Sequence, residues 1–149
     1  MSLRPVKKED WKFILNVRNQ KEVRMACYDT SIIDYSAHEK YMQKLDNTPN
    51  CHQWIIVYNN KDVGQAKIDD WVLGYMLTDG YRGKGIWSKA YPLVLKEVKK
   101  MGFKKLKGTV KFGQKKQLEI AEKLGFIKTG ILYKEKKAVG YSMEKNLEE

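Results

Sequence analysis

Gly74-Tyr75-Met76-Leu77-Thr78-Asp79-Gly80-Tyr81-Arg82-Gly83-Lys84-Gly85-Ile86-Trp87-Ser88 changes character twice within a short span. The apolar stretch from Trp71 to Leu77 has the length of a strand, and Thr78-Asp79-Gly80 is a cluster of turn residues. From Ile86 onward Ala90, Leu93, Val94, Val98 and Met101 recur at helical spacing as far as Gly102. A turn that leads from a strand into a helix leaves up to about four backbone N–H groups unpaired, at a helix end carrying roughly half a positive charge. Such a turn can bind a pyrophosphate. Gly83 and Gly85 let the backbone approach phosphates with no Cβ in the way, Arg82 can make paired contacts, and Lys84 adds a mobile point charge. Pro92 lies within the helical pattern and cannot donate to the carbonyl of Ser88, so a kink or widened turn is expected there rather than a helix end.

Two nucleotide-binding motifs do not fit this turn. A Walker loop requires Gly-Lys followed by Ser or Thr, whereas Gly83-Lys84 is followed by Gly85. The dinucleotide fingerprint begun at Gly83 and Gly85 would need a glycine where Ser88 stands, and no βαβ unit with an acidic strand end follows.

Working outward, Leu3 to Lys7 reads as a short strand, and Glu9-Asp10 open a helix with Trp11, Ile14, Leu15 and Arg18 on one face. A second helix starts after Asp34 or Ser36, carries His38, Tyr41, Met42 and Leu45 on one side, and stops at Asn47-Thr48-Pro49-Asn50. Trp54 to Tyr58 and Val63 to Ile68 form a hairpin through Asn59-Asn60-Lys61-Asp62. On the far side of the turn lie a strand from Leu106 to Val110 and a helix from Gln114 to Leu124, with Gly125 as a natural helix stop. Alternating strands from Ile127 to Tyr133 and from Ala138 to Met143 flank Lys134-Glu135-Lys136-Lys137. Short links between strands favour antiparallel pairing and an intervening helix favours a parallel crossing, so an α/β layer architecture in one domain spanning residues 1–149 is expected.

The chain has 29 Lys and Arg against 18 Asp and Glu, a net charge of +11, which points to an anionic partner. Charge alone does not choose among nucleic acid, a membrane surface and a phosphorylated small molecule. At 42% hydrophobic the chain is too apolar to be disordered. Cys27 and Cys51 form neither a CxxC pair nor metal-ligand spacing with His38 and His52, so no metal site is expected. No run approaches the ~18 apolar residues of a membrane span, and the N-terminus lacks a signal-like apolar segment. A reducing, cytoplasmic setting is expected.

Gly74-Tyr75-Met76-Leu77 followed by Arg82-Gly83-Lys84-Gly85-Ile86 resembles the fourth strand and acyl-CoA turn of GNAT acetyltransferases, whose motif runs Arg/Gln-x-x-Gly-x-Gly/Ala. Leu124-Gly125-Phe126 resembles that family's second signature, Tyr-x-Lys-x-Gly-Phe. The element order agrees as well, so the resemblance covers essentially the whole chain. It implies a mixed, mostly antiparallel sheet of about six to seven strands flanked by roughly four helices. It also implies acetyl-CoA as cofactor and acetyl transfer to a primary amine. Residue by residue, it implies that backbone groups of Met76 and Thr78, with Leu77 between them, pair with the pantetheine arm. Arg82, Gly83, Lys84, Gly85 and Ile86 would surround the pyrophosphate, and Lys123 would help at the adenosine end. Three positions depart from the pattern. Trp87 stands where the family has Gly or Ala, so its indole either points outward or narrows the phosphate site. Gln114 stands where Asn is common, and Ala121 stands where a Tyr usually protonates the departing thiolate. Tyr133 and Tyr141 on the last two strands, and Tyr75 on the splayed strand, are substitutes for that missing acid.

Val17-Arg18-Asn19, Val23-Arg24, Ser31-Ile32, His38 and Tyr41 resemble the GNAT branch that acetylates nucleotide-linked amino sugars, as in the pseudaminic-acid pathway. Related patterns occur in enzymes that modify ribosomal-protein N-termini. In this reading Arg18 and Arg24 hold a diphosphate, Asn19 bonds hydroxyls, Tyr75 lines the acceptor side, and His38 takes a proton from the incoming ammonium. Thioester aminolysis needs a neutral amine and an oxyanion stabiliser, with modest help for a thiol whose pKa is about 8.5. The alternatives are a protein N-terminal acetyltransferase and a noncatalytic GNAT-like module that binds RNA or the ribosome. The chain lacks an aromatic stacking motif and helix-turn-helix spacing, which argues against nucleic acid. A homodimer is compatible with this reading.

Overall fold

The structure is a computed structural model and describes residues 1–147. Its strands are β1 (Ser2–Pro5), β2 (Cys51–Tyr58), β3 (Lys61–Asp69), β4 (Val72–Leu77), β5 (Lys105–Lys111), β6 (Ile127–Lys134) and β7 (Lys137–Asn146). Its helices are α1 (Trp11–Arg18), α2 (Lys21–Ala26), α3 (Tyr35–Asp46), α4 (Ile86–Lys100) and α5 (Lys115–Lys123). One seven-stranded sheet runs in the order β1-β2-β3-β4-β5-β7-β6. Every pair is antiparallel except β4 with β5, which is parallel because α4 carries the chain across. That parallel pair is in register only at Val72 and Lys107. Beyond this point the two strands diverge, and the sheet is split at its centre.

Strand alternation sorts the side chains into two layers. Leu73, Tyr75 and Leu77 of β4 pack with α4 and α5, around a core that includes Ile56, Val94, Val98, Leu106 and Met143. Met76, one position out of phase, packs on the opposite face with Trp11, Ile14, Met42 and Leu45 of α1 and α3. At the end of α5, Gly125 takes φ +95°. The amide of Phe126 donates to the carbonyl of Ala121 and that of Gly125 to Glu122, which closes the helix as the sequence suggested.

One expectation needs correction: among the described residues there are five α-helices rather than four, because α2, with only Val23 of its six residues buried, escapes a periodicity reading. Pro92, as expected, does not end α4, and the helix runs from Ile86 to Lys100 around it. Among the described residues, no helix is long and apolar enough to cross a membrane.

Candidate active site

The split between β4 and β5 opens into a cleft of about 1060 Å³. It passes through the sheet. Tyr75, Trp87, Gln117 and Ala121 line it from the α4/α5 side. Lys67 and Gly74, cross-strand partners on β3 and β4, line it from the other side, where the Lys67 ammonium donates to the Tyr41 hydroxyl of α3 at 2.7 Å. Helix α2 lies across the mouth and is held at both ends. At its start Gln20 and Glu22 bond the turn after β4. At its end Lys111 donates to the carbonyls of Cys27 at 3.0 Å and Met25 at 3.3 Å, and Gln114 donates to Met25 at 3.4 Å. Gln114 therefore faces the cleft while bonding protein backbone.

In the turn, Gly83 and Gly85 both have φ +73°, and the space a Cβ would enter is open at each. Gly85 caps α4, whose first intrahelical bond runs from the Lys89 amide to the Gly85 carbonyl. The amides of Ile86, Trp87 and Ser88 thus precede any intrahelical partner. Arg82, Gly83, Gly85, Ile86 and Trp87 line the cleft, and Lys84 is exposed on the turn. Arg82, however, points back into the protein. Its guanidinium donates to the Leu77 carbonyl at 2.6 Å, to Glu22 at 2.8 Å and to Gln20 at 2.9 Å.

The main-chain groups of Met76 and Thr78, expected at the pantetheine arm, face β3. The Thr78 amide donates to the Val63 carbonyl of β3 at 2.8 Å, and the Met76 carbonyl also faces β3, against Gly64. The Trp71 carbonyl accepts from Lys107 of β5. By strand parity the main-chain groups of Leu73, Tyr75 and Leu77 face the open edge, and those of Met76 and Thr78 do not.

Trp87 does not point outward. It is buried with its indole stacked on Tyr75, centroids 3.9 Å apart and planes 7° from parallel. The Tyr75 hydroxyl donates to Gln117 Oε1 at 2.8 Å, and burial pushes its pKa up to about 12. Gln117 stands four residues before Ala121, on the same face of α5.

Of the residues expected to read the acceptor, Tyr75 lines the cleft and the others do not. His38 is buried between α1 and α3, where its Nε2–H donates to the Trp11 carbonyl at 2.8 Å. Burial holds its pKa below the usual imidazole value, partly offset by that bond. Arg18 donates to the carbonyl of Asp29 at 2.7 Å. Asn19 pairs with both backbone groups of Ile33, and Arg24 donates to the carbonyls of Asn19 and Thr30, both at 3.0 Å. All three clasp the segment between α2 and α3, and none lines the cleft. Tyr133 is 62% exposed on β6. Tyr141 packs edge-on to Phe112 with the Lys128 ammonium over its ring, and Lys123 is exposed in the last turn of α5. None of these three lines the cleft either. In their place Glu22 and Gln117 line the cleft, and Gln20 bonds the turn behind Arg82. The i−4 relation to Ala121 could have singled out Gln117, whereas Gln20 and Glu22 sit at a helix with no apolar repeat to announce it.

Comparison with known proteins agrees with this geometry. Residues 1–127 match the family model described as an acetyltransferase (GNAT) domain. No curated protein matches in sequence. An N-acetyltransferase from Staphylococcus aureus Mu50 is similar in fold with a TM-score of 0.79 at 19% identity, covering 99% of this chain and 98% of that one. The spermidine N-acetyltransferase of Vibrio cholerae, solved with CoA and spermine, gives 0.85 at 16% identity over 98% and 95% of the two chains. The ribosomal-protein-alanine N-acetyltransferase of Brucella melitensis gives 0.79 at 15% over 98% and 99%. The family match runs from β1 to the first residue of β6 and takes in both arms of the split and the turn between them; on that extent the chain belongs to the acetyltransferase (GNAT) domain family.

Proposed function

We propose that the chain works as one domain that transfers the acetyl group of acetyl-CoA to a primary amine on a small anionic acceptor, with a nucleotide-linked amino sugar as the type. The observation that carries the cofactor reading is the turn itself: two left-handed glycines with open Cβ space, followed by three helix-start amides beside a cleft. When bound, acetyl-CoA supplies an activated acyl group that a neutral amine can attack. The open edge of β4 offers the main chain of Tyr75 and Leu77 to the pantetheine and an N–H to the developing oxyanion. Tyr75, on the face where Ala121 leaves room, turns its one hydroxyl proton from Gln117 Oε1 to the departing sulfur. With a pKa of about 12 the phenol keeps its own proton. A hydrogen bond suffices for a thiol of pKa about 8.5.

The acceptor enters from the α3 side. Because Arg18 and Arg24 are engaged with the segment between α2 and α3, its anionic part falls to the cleft lysines. Lys21, Lys67, Lys111 and Lys116 line the cleft as a whole against two acids, Glu22 and Asp69, a positive field that suits the cofactor's phosphates and an anionic acceptor alike, with Lys67 on the acceptor's side.

Gly85→Glu tests the cofactor reading. A non-glycine residue at φ +73° costs roughly 1–2 kcal/mol, and the carboxylate would enter the phosphate space. CoA binding should be lost in calorimetry while the fold persists, and unchanged affinity in a folded variant removes the cofactor assignment. A thermal-shift panel of amino sugars, nucleotide sugars, polyamines and N-terminal peptides with acetyl-CoA tests the acceptor. Acetylation confined to peptide N-termini would move the assignment to the protein N-terminal class.

A further inference from the structure

We propose that Gln20, in the connection between α1 and α2, is a positioning residue for the cofactor turn, holding Arg82 and the Thr78-Asp79 backbone so that the phosphate-facing amides stay open. This rests on the acetyl-CoA reading above. Both ends of the Gln20 side-chain amide are used. Its oxygen accepts from the Asp79 backbone N–H and from Arg82 Nη1, each at 2.9 Å. Its nitrogen donates to the Thr78 hydroxyl at 3.0 Å. Three features of the turn, the hydroxyl of Thr78, the amide of Asp79 and the guanidinium of Arg82, thus converge on one residue distant in sequence.

The consequence for Arg82 is specific. With donors committed to Leu77, Gln20 and Glu22, the guanidinium braces the turn from behind, and its charge acts on a phosphate from that fixed place. Glu22 is 72% exposed on its side chain, so its ion pair with Arg82 contributes little to that hold. The bonds of Gln20 to Arg82 and Thr78 are partly buried and carry it. The chemistry also says which replacements preserve the brace. A glutamate keeps the acceptor for Asp79 and Arg82, and the Thr78 hydroxyl can rotate to donate to its second oxygen. A leucine keeps the size and loses all three bonds.

The test is a titration of the unsubstituted protein, Gln20→Leu and Gln20→Glu with CoA and with pantetheine, which lacks the pyrophosphate, read by calorimetry and by NMR. Gln20→Leu should weaken CoA about tenfold and leave pantetheine binding within about twofold, because the brace acts on the phosphate end. Gln20→Glu should restore CoA affinity to within about threefold. Unchanged CoA affinity in Gln20→Leu overturns the proposal. So does an equal loss of CoA and pantetheine, which marks general damage, or failure of Gln20→Glu to restore. If the unsubstituted protein binds no CoA, the cofactor reading itself fails, a result distinct from any of these.

Discussion

Tyr75 and His38 divide the polar chemistry of single side chains between the cleft and the core. The Tyr75 ring lies flat against Trp87 at the cleft, so its orientation is set before any ligand arrives, while its hydroxyl proton rests on Gln117. Tyr75→Phe should keep CoA affinity and lower kcat about tenfold or more. Tyr133→Phe and Tyr141→Phe, outside the cleft, should leave kcat unchanged. If Tyr75→Phe also leaves it unchanged, the thiolate departs unassisted. His38 is held neutral by burial, with a folded-state pKa below its unfolded value of about 6.5. Protonation therefore favours the unfolded chain. Stability from this group is complete above about pH 6.5 and is lost as the pH falls through the folded value. His38→Gln should flatten the decline of Tm below about pH 6.5 and leave the acidic limb of the rate profile in place. Loss of that limb would return His38 to the chemistry.

Among elements, α2 and the segment that follows it explain where the sequence reading stopped. Arg24→Ala should loosen the segment between α2 and α3 by removing the bonds to Asn19 and Thr30, lowering Tm. The variant's effect on KM should be similar for a nucleotide sugar and for the free amino sugar. A selective rise for the nucleotide form would put Arg24 back on the diphosphate. The strands, the long helices and the glycine turn were legible because apolar periodicity and glycine placement are local signals. Leu118, Ala121 and Leu124 show the pattern in α5, and Gly125 ends it through bonds within six residues. Arg18, Asn19 and Arg24 were misplaced for the opposite reason. Their spacing sets a helix face, but what an arginine meets across that face depends on how the chain from Cys27 to Asp34 folds back, and no periodicity encodes that. That the main chain of Met76 and Thr78 faces β3 was not legible, because strand parity toward a neighbour needs the register that only the β3 pairing supplies.

For the molecule as a whole, the decisive feature is a cleft that crosses the sheet, with the glycine turn and α5 on one side and Lys67 and Gly74 on the other. Two ligands can then occupy it together, one from each face, and meet where β4 and β5 part. An acyl group handed directly from one to the other requires no stop on the protein. Neither Cys27 nor Cys51 is among the cleft-lining residues, so no thiol stands ready to take the acetyl group. The kinetics should therefore be sequential: double-reciprocal plots at several acceptor concentrations should intersect, and acetyl-CoA alone should leave no label on the protein. A Cys27→Ser, Cys51→Ser double variant should keep kcat within about twofold. Parallel lines, or an acetyl group retained on the chain and then passed to an acceptor, would mean that the two ligands take turns at one site, and the reading of the split sheet as a meeting place for two would fail.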